Sequence, residues 1–524
     1  MLDGWLVRSN IPSALRPRAA LNPGRNSNCL LLVVLFHALG LSAQGQEDPV
    51  LSIGPIYHDV RMALSGGVGN EAAGPFWASE TVDQHRVFGV RPFYVREEDP
   101  SLETVSWDSL YPFLTYDRFG AEYRIQLFQL LSVAGGGSQS GATSDRVTVF
   151  PFFFSQRSTN PTNNYTAFLP FYGHLRNRLF RDEVDFVAWP LYVRTRKQDV
   201  VTRNYLVPFV HKREGTGLSG WQVWPIIGIE HRQPTTYTNG FGDTELKPGH
   251  DKHFVAWPLY FHNRVGLGTT NPANQLVSFP LFSRQTSPAR DSSSYLLPIG
   301  LTITDDREKG YHEVGFPWPF VMRAWGPGKT AARVWPLFGR AHNEYLESEF
   351  YLWPLYKRTR AHADPLDRSR LRILLFLYSD IIEKNTATGK ASRRTDLWPL
   401  FTSKKDADGN ERHQFLALLE PYIPNNKSLE RSWSPLWSIW RSEKNAKAGT
   451  SSSSFLWNLY RTEKTPVTSR SSALFGLIQR ETGPEGTSWK WLHLFRTPKR
   501  GGAVKPLQPA ATESKPGPAQ PTGK

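Results

Sequence analysis

The chain carries one cysteine in 524 residues, Cys29, and it lies in an N-terminal apolar segment. With that segment removed no thiol is left, which excludes a disulfide framework and a cysteine-ligated metal site, so stability has to come from burial and backbone pairing. Long hydrophobic runs are missing too: Cys29–Leu41 is about thirteen residues, too short to cross a bilayer comfortably as a helix. Catalytic signatures are also lacking. No HExxH, Walker loop, GxSxG elbow or CxxC occurs in the region after the leader, which removes the common hydrolase, nucleotide and zinc readings.

Aromatic residues, by contrast, make up 13% of the chain, with 18 Trp, and the formal net charge is +15. A basic surface of that size implies anionic company: lipid headgroups, polysaccharide, anionic solutes or nucleic acid. Nucleic acid is not expected, because the basic residues are spread one or two per repeat and no helix-turn-helix, zinc-finger or RNP motif is present.

The unit behind these totals is DFVAWPLYVRTR (Asp185–Arg196), an apolar run with a central proline and a basic exit. It returns as HFVAWPLYFHNR (His253–Arg264), QLVSFPLFSR (Gln275–Arg284), ARVWPLFGR (Ala332–Arg340), FYLWPLYKRTR (Phe350–Arg360) and DLWPLFTSKK (Asp396–Lys405). Equivalent prolines recur from Pro151 through Pro170, Pro190, Pro208 and Pro225 to Pro354, Pro399 and Pro435 at a spacing of roughly twenty residues, the mark of a tandem array. Proline-free versions keep the apolar run at Leu371–Tyr378, Phe415–Leu419, Phe455–Tyr460, Ala473–Ile478 and Trp489–Phe495, so about twenty units are expected.

Short aromatic and β-branched runs separated by Asn, Asp, Gly, Ser and Lys predict strands joined by turns, and a proline inside nearly every run disfavours helix. The predicted class is all-β: about twenty short strands forming a large antiparallel β-barrel, or alternatively a β-meander or solenoid repeat body. Treating each run as one strand places Val187, Trp189, Leu191 and Val193 on an apolar face, with Phe186, Ala188, Pro190, Tyr192 and Arg194 on a mixed one. The prolines count against a barrel, since each would remove a ladder hydrogen bond in hydrocarbon. So does the chain beyond Phe495, the terminal aromatic on which a barrel would finish.

The expected organisation is a signal peptide over 1–45, an irregular lead-in over 46–84, a single β-repeat body over 85–500 and a disordered Pro/Lys-rich tail over 501–524. A Gly-rich break at Gly135–Gly141 is read as a loop, and an insertion from about Glu230 to Lys252 as an exposed segment where local recognition would concentrate.

Candidate sites are few, and each has a plainer reading. Asp406–Glu411 offers oxygen ligands for Ca²⁺ but lacks the twelve-residue spacing and reads as a hairpin turn. His211, His253, His262 and His312 fall one per repeat, a spacing that gathers no metal set. Glu97, Glu98 and Asp99, and Asp305 with Asp306, supply acid pairs that read as solvated turns, while Asn164 and Asn426 head chance glycosylation sequons. No catalytic, cofactor-binding or metal residue is therefore assigned. The expectation is a non-enzymatic protein of a Gram-negative-type cell envelope, an outer-membrane barrel with a basic, anion-favouring interior and outer-membrane lipid as its partner. The alternative is a secreted or periplasmic structural or carbohydrate-binding repeat protein.

Overall fold

The computed structural model describes residues 52–53, 56–137 and 143–498. The expected leader over 1–45, the tail over 501–524 and most of the Gly135–Gly141 break lie outside these residues. The described chain is all-β: strands follow one another from β1 (Ser52–Ile53) to β46 (Phe495–Arg496), and 44 of them form a single antiparallel meander in which sequence neighbours pair. Helix is confined to a 3-10 turn at Pro161–Asn163 and two short helices, α1 (Lys427–Ser432) and α2 (Ser434–Trp437).

The strand count exceeds the expected twenty because each sequence unit is a hairpin and not a strand. In the reference unit β15 (Arg181–Val187) ends before the proline and β16 (Tyr192–Lys197) begins after it. Between them Ala188–Leu191 reverses the chain around the cis Trp189–Pro190 bond, and Leu191 N–H donates to Ala188 O at 2.8 Å, a type VI turn with proline third. The same bond closes the turns at Leu206–Phe209 (2.8 Å), Ala256–Leu259 (2.7 Å) and Leu352–Leu355 (2.8 Å). The first residue of these turns is left-handed, as at Ala188 (φ 45), and where proline is absent two successive residues are, as at Leu374 and Leu375 (φ 49 and 62). Pro435 is the exception among the repeat prolines, since it opens α2, where a missing N–H costs nothing.

Reversal within the unit also rewrites the expected alternation. Phe186 pairs directly with Val193, so the two share a face, and both are buried; Trp189 and Leu191 are turn residues, 49% and 57% exposed. The buried face is local packing. Leu175, Val184, Phe186 and Val193 close over Tyr165 and Ala167. Glycine makes room for aromatic rings there: Gly173, Gly228 and Gly339 lie directly opposite Phe186, Phe254 and Phe350, and a Cβ at any of the three would collide with the ring. An aromatic side chain laid across a strand glycine restores the contacts that glycine cannot make.

Residues 56–84 are not an irregular lead-in. They form β2 (Tyr57–Arg61), β3 (Val68–Ala72) and β4 (Trp77–Val82), paired in the same ladder as the repeats, because cross-strand pairing needs alternation and turns but not the Trp-Pro signature. The insertion is half as predicted. Glu230 and Lys252 are a ladder pair inside the main sheet, whereas β21 (Thr235–Thr238) and β22 (Thr244–Lys247) project as a separate hairpin with Phe241 at its exposed tip.

The two ends of the meander meet. Arg61 N–H in β2 donates to Glu463 in β42 (Tyr460–Lys464), Glu71 in β3 binds Arg441 in β40 (Trp440–Asn445), and Asp108 in β7 (Thr104–Ser109) binds Arg431 in α1. As strand number rises on one side of these contacts it falls on the other, so the ends face each other as two walls and do not overlap as a coil.

Candidate functional site

Two features rise above the repeat: the edge formed by the apolar turns, and the polar seam between the facing walls.

Along the edge, successive turns are hydrogen-bonded to one another. Ala188 and Trp189 N–H donate to Phe171 and Pro170 O (2.5 and 2.6 Å), Leu206 and Val207 to Leu191 and Pro190 O (2.7 and 2.8 Å), and Leu352 and Trp353 to Leu337 and Pro336 O (2.6 and 2.7 Å). With the fourth residue bonded back to the first, every N–H of such a turn has an acceptor, and proline occupies the one position that has none to give. The lost ladder bonds expected of mid-strand prolines do not arise. Rings flanking the prolines pack along the edge, Phe209 to Trp224 to Trp257 and Phe320 to Trp335 to Trp353, with centroids 5.5–6.1 Å apart.

One step down the strands lies a register row that continues these turns. Tyr172, Val187, Tyr192 and Tyr205 are directly paired in series, as are Phe338, Tyr351 and Tyr356, and Phe415, Trp440, Phe455 and Tyr460. Most of them are exposed, and so are the turn residues Leu191, Leu259, Leu337 and Leu355. The next row on the same face is basic on balance: Arg194, Arg203 and Lys212 follow in pairing order, and Arg284, Arg323, Arg340 and Arg358 recur further along among Trp221, Ile229, Leu276, Ile303 and Val314, with Asp185, Glu349 and Asp380 as its acids. One row further, Glu214, Asp251, Asp291 and Asp305 alternate with His231, Arg264 and His312. Away from the turns, charge is therefore first met in the row behind the aromatic one, where cations outnumber acids among apolar neighbours, and acids become more frequent one row further.

The seam is an ion-pair network. Glu71 faces Arg91 (3.5 Å) and Arg441 (3.3 Å) and accepts from Asn458 Nδ2 (2.6 Å), while Arg91 also reaches Glu80 (3.1 Å) and the Arg431 carbonyl (2.8 Å). Burial alone would raise the Glu71 carboxyl, but Arg441, Arg91 and Arg461 outweigh it and hold it down at about 2. His58, buried beside Arg461, is lowered to about 4 by burial first and by that guanidinium second. Arg431 binds Glu97 and Asp108, and Trp433 Nε1 donates to Tyr111 O (2.9 Å), which fixes α1 against β6 (Tyr94–Asp99) and β7. A cavity of about 260 Å³ remains, where Lys404, Arg412 and Lys427 face Glu430 and Glu443.

The sequence candidates are distributed as follows. Asp406 closes the β38–β39 turn between Phe401–Lys405 and Glu411–Phe415, accepting from Asp408 and Asn410 N–H (both 2.9 Å), as the turn reading requires. His253 and His262 are directly paired, His262 bonds Asn274 (2.7 Å), His312 meets Asp305 (3.0 Å), and His211 lies on a separate strand; among the described residues no group of three metal-type ligands forms. The acid pairs are not simply solvated turns. Glu97 binds His85 and Arg431 in the seam, and Asp306 is buried at the end of β28 (Leu301–Asp306), accepting from Lys309 N–H (2.9 Å); Glu98 pairs with Arg96 (3.2 Å) and Asp99 caps the turn at Ser101 (3.0 Å). Asn164 accepts from Ser158 N–H (2.7 Å), and Asn426 caps α1, accepting from Leu429 N–H (2.9 Å).

The sequence reading missed Glu71, Arg91 and Arg431. Arg91 meets Glu71 and Glu80 from nearby strands, but the contacts that join the walls span more than 300 positions, as with Arg91 and the Arg431 carbonyl (340), Arg431 and Asp108 (323) or Arg441 and Glu71 (370), and no local pattern announces them. Comparison with known proteins found no matching family and no similar curated protein.

Proposed function

We propose that the protein is a non-enzymatic β-repeat protein of a bacterial cell envelope that works at the outer membrane and meets lipid with the turn edge of its sheet. The observation that carries this reading is the edge itself: exposed Trp, Leu and Phe at the turns, backed by a paired aromatic row, with the turn N–H groups internally satisfied. Such an edge tolerates a water-poor environment, because unsatisfied backbone groups are what hydrocarbon excludes. An uncovered apolar border of this extent on a water-soluble monomer would be a standing aggregation hazard. Fractionation tests the proposal: the processed protein should be recovered with detergent-extracted outer membrane and should float with lipid vesicles. Recovery from the soluble periplasm or medium without vesicle binding would reject it.

A second reading rests on the closeness of the turn tryptophans to the arginine row. Aromatic rings beside guanidinium groups also suit polysaccharide, and a soluble protein retained by an anionic polysaccharide column would support that reading instead.

A further inference from the structure

We propose that the turn edge enters a single leaflet and that the basic row behind it recognises anionic lipid headgroups. This rests on the reading of the edge as lipid-facing and adds a depth and a lipid class to it.

Depth follows from the spacing of the rows. A four-residue turn extends at most two residues past the aromatic row, and the basic row lies two residues behind it, so each step is about 7 Å along the strand. The apolar band is thus at most about 7 Å from turn tip to aromatic row and about 14 Å to the first arginines, against about 25 Å for a spanning barrel and 5–10 Å for a surface-seated element. Strands of this length would leave charge in hydrocarbon if they crossed: Arg194 and Arg203 sit in the middle of β16 and of β17 (Val200–Tyr205).

Lipid class follows from charge order. With the aromatic row at the interface, Arg284, Arg323 and Arg340 fall at the depth of headgroup phosphates. All three are exposed, and none has a carboxylate within ion-pairing distance among the described residues. Their pairing neighbours in the row are chiefly apolar or hydroxyl, Leu276 and Ser293 beside Arg284 and Val314 and Ala332 beside Arg323, with Glu349 beside Arg340. The acids of the row itself, Asp185, Glu349 and Asp380, are each ion-paired, to Arg194 (3.2 Å), Arg358 (3.9 Å) and Arg393 (2.9 Å), and Glu214, Asp251, Asp291 and Asp305 stand one row further out, away from an anionic surface. A leaflet with negative headgroups matches that order; a neutral one makes no use of it.

The test uses the full processed chain with phosphatidylcholine vesicles, with and without phosphatidylglycerol, and the variant Arg323→Glu/Arg340→Glu together with two single variants of equal charge change, Arg323→Glu in the row and the control Arg264→Glu one row further from the edge. Wild type should bind the anionic vesicles at least tenfold more tightly than the neutral ones, lose that preference in high salt, and lose it in the double variant, with Arg323→Glu losing more of it than Arg264→Glu, which keeps most. Tryptophan quenching by brominated lipids should occur with bromines near the interface and not with bromines near the bilayer centre. Equal binding to both vesicle types, or Arg323→Glu no weaker than Arg264→Glu, overturns the headgroup assignment while leaving the lipid reading standing. Quenching from the bilayer centre together with conductance across a planar bilayer overturns single-leaflet insertion in favour of a spanning barrel. No binding to either vesicle, with concentration-dependent self-association in the ultracentrifuge, makes the edge an interface between copies and rejects both proposals. The salt response of wild type is read without any substitution, so a misfolded variant does not shield the proposal.

Discussion

Glu71→Gln removes a negative charge from between Arg91 and Arg441, with Arg461 close by, and leaves the amide's shape in place. In the folded chain this carboxyl is held at about 2 against an ordinary 4.5. At about 1.4 kcal/mol per unit, its ionised form contributes on the order of 3 kcal/mol to keeping the walls together, an upper figure because the glutamine can still accept from Asn458. Since the folded value is depressed, the contribution is complete above 4.5 and is lost as pH falls toward 2. His58 acts in an earlier window: held neutral down to about 4, it favours the closed seam fully above 6.5 and progressively less as pH falls from 6.5 to 4. The assay is amide hydrogen exchange in β2–β4 and β40–β42 across that range, at constant ionic strength. Wild type should lose seam protection in two stages on acidification. Glu71→Gln should exchange faster at neutral pH and should lack the lower stage while keeping the upper one. If its protection at pH 7 equals that of wild type, the ion pairs are not what joins the walls and the reasoning fails.

Phe186→Ala should destabilise the fold by about 3–5 kcal/mol through the cavity it opens beside Leu175 and Val193, whereas Trp189→Ala should cost under about 1 kcal/mol and act mainly on vesicle binding; denaturant melts showing equal losses would refute the inside and outside assigned here. Gly339→Val drives a side chain into the Phe350 ring, and a variant melting within a degree of wild type would show that the ring moves aside at no cost. Replacing Gln233–Pro248 by a short Gly/Ser linker should leave the melting temperature nearly unchanged, because β20 (Ile227–Arg232) still pairs with β23 (Gly249–Val255); the partly exposed Lys247–Asp199 pair that goes with the hairpin is worth under about 1 kcal/mol, and a large drop would place the hairpin in the core.

The all-β class and the tandem repeat were legible because both depend on residues close in sequence: aromatic runs, polar breaks and a proline at a steady interval. Where the proline sits in the repeat was misjudged for a definite reason. An apolar run with a central proline is compatible with one bulged strand or with two half-strands and a turn, and only the pairing partners tell them apart. Phe186 and Val193 show the consequence. They are an odd number of residues apart, which in a continuous strand puts them on opposite faces, but the turn between them brings them into register on the same one.

The sequence by itself determined the chemistry of each hairpin. It set which residues turn, which carry charge, and that no cysteine or familiar catalytic motif takes part. Tertiary structure alone decided which charges meet. Glu71 and Arg441 are ordinary polar residues of ordinary strands, and they pair because the meander brings its first strands to face its last. It also decided that the apolar turns fall along one edge, with the basic row a fixed distance behind them, since register passes from strand to strand through backbone hydrogen bonds that side-chain identity constrains only weakly. Local chemistry is written once per repeat, but a row exists only when many repeats are aligned.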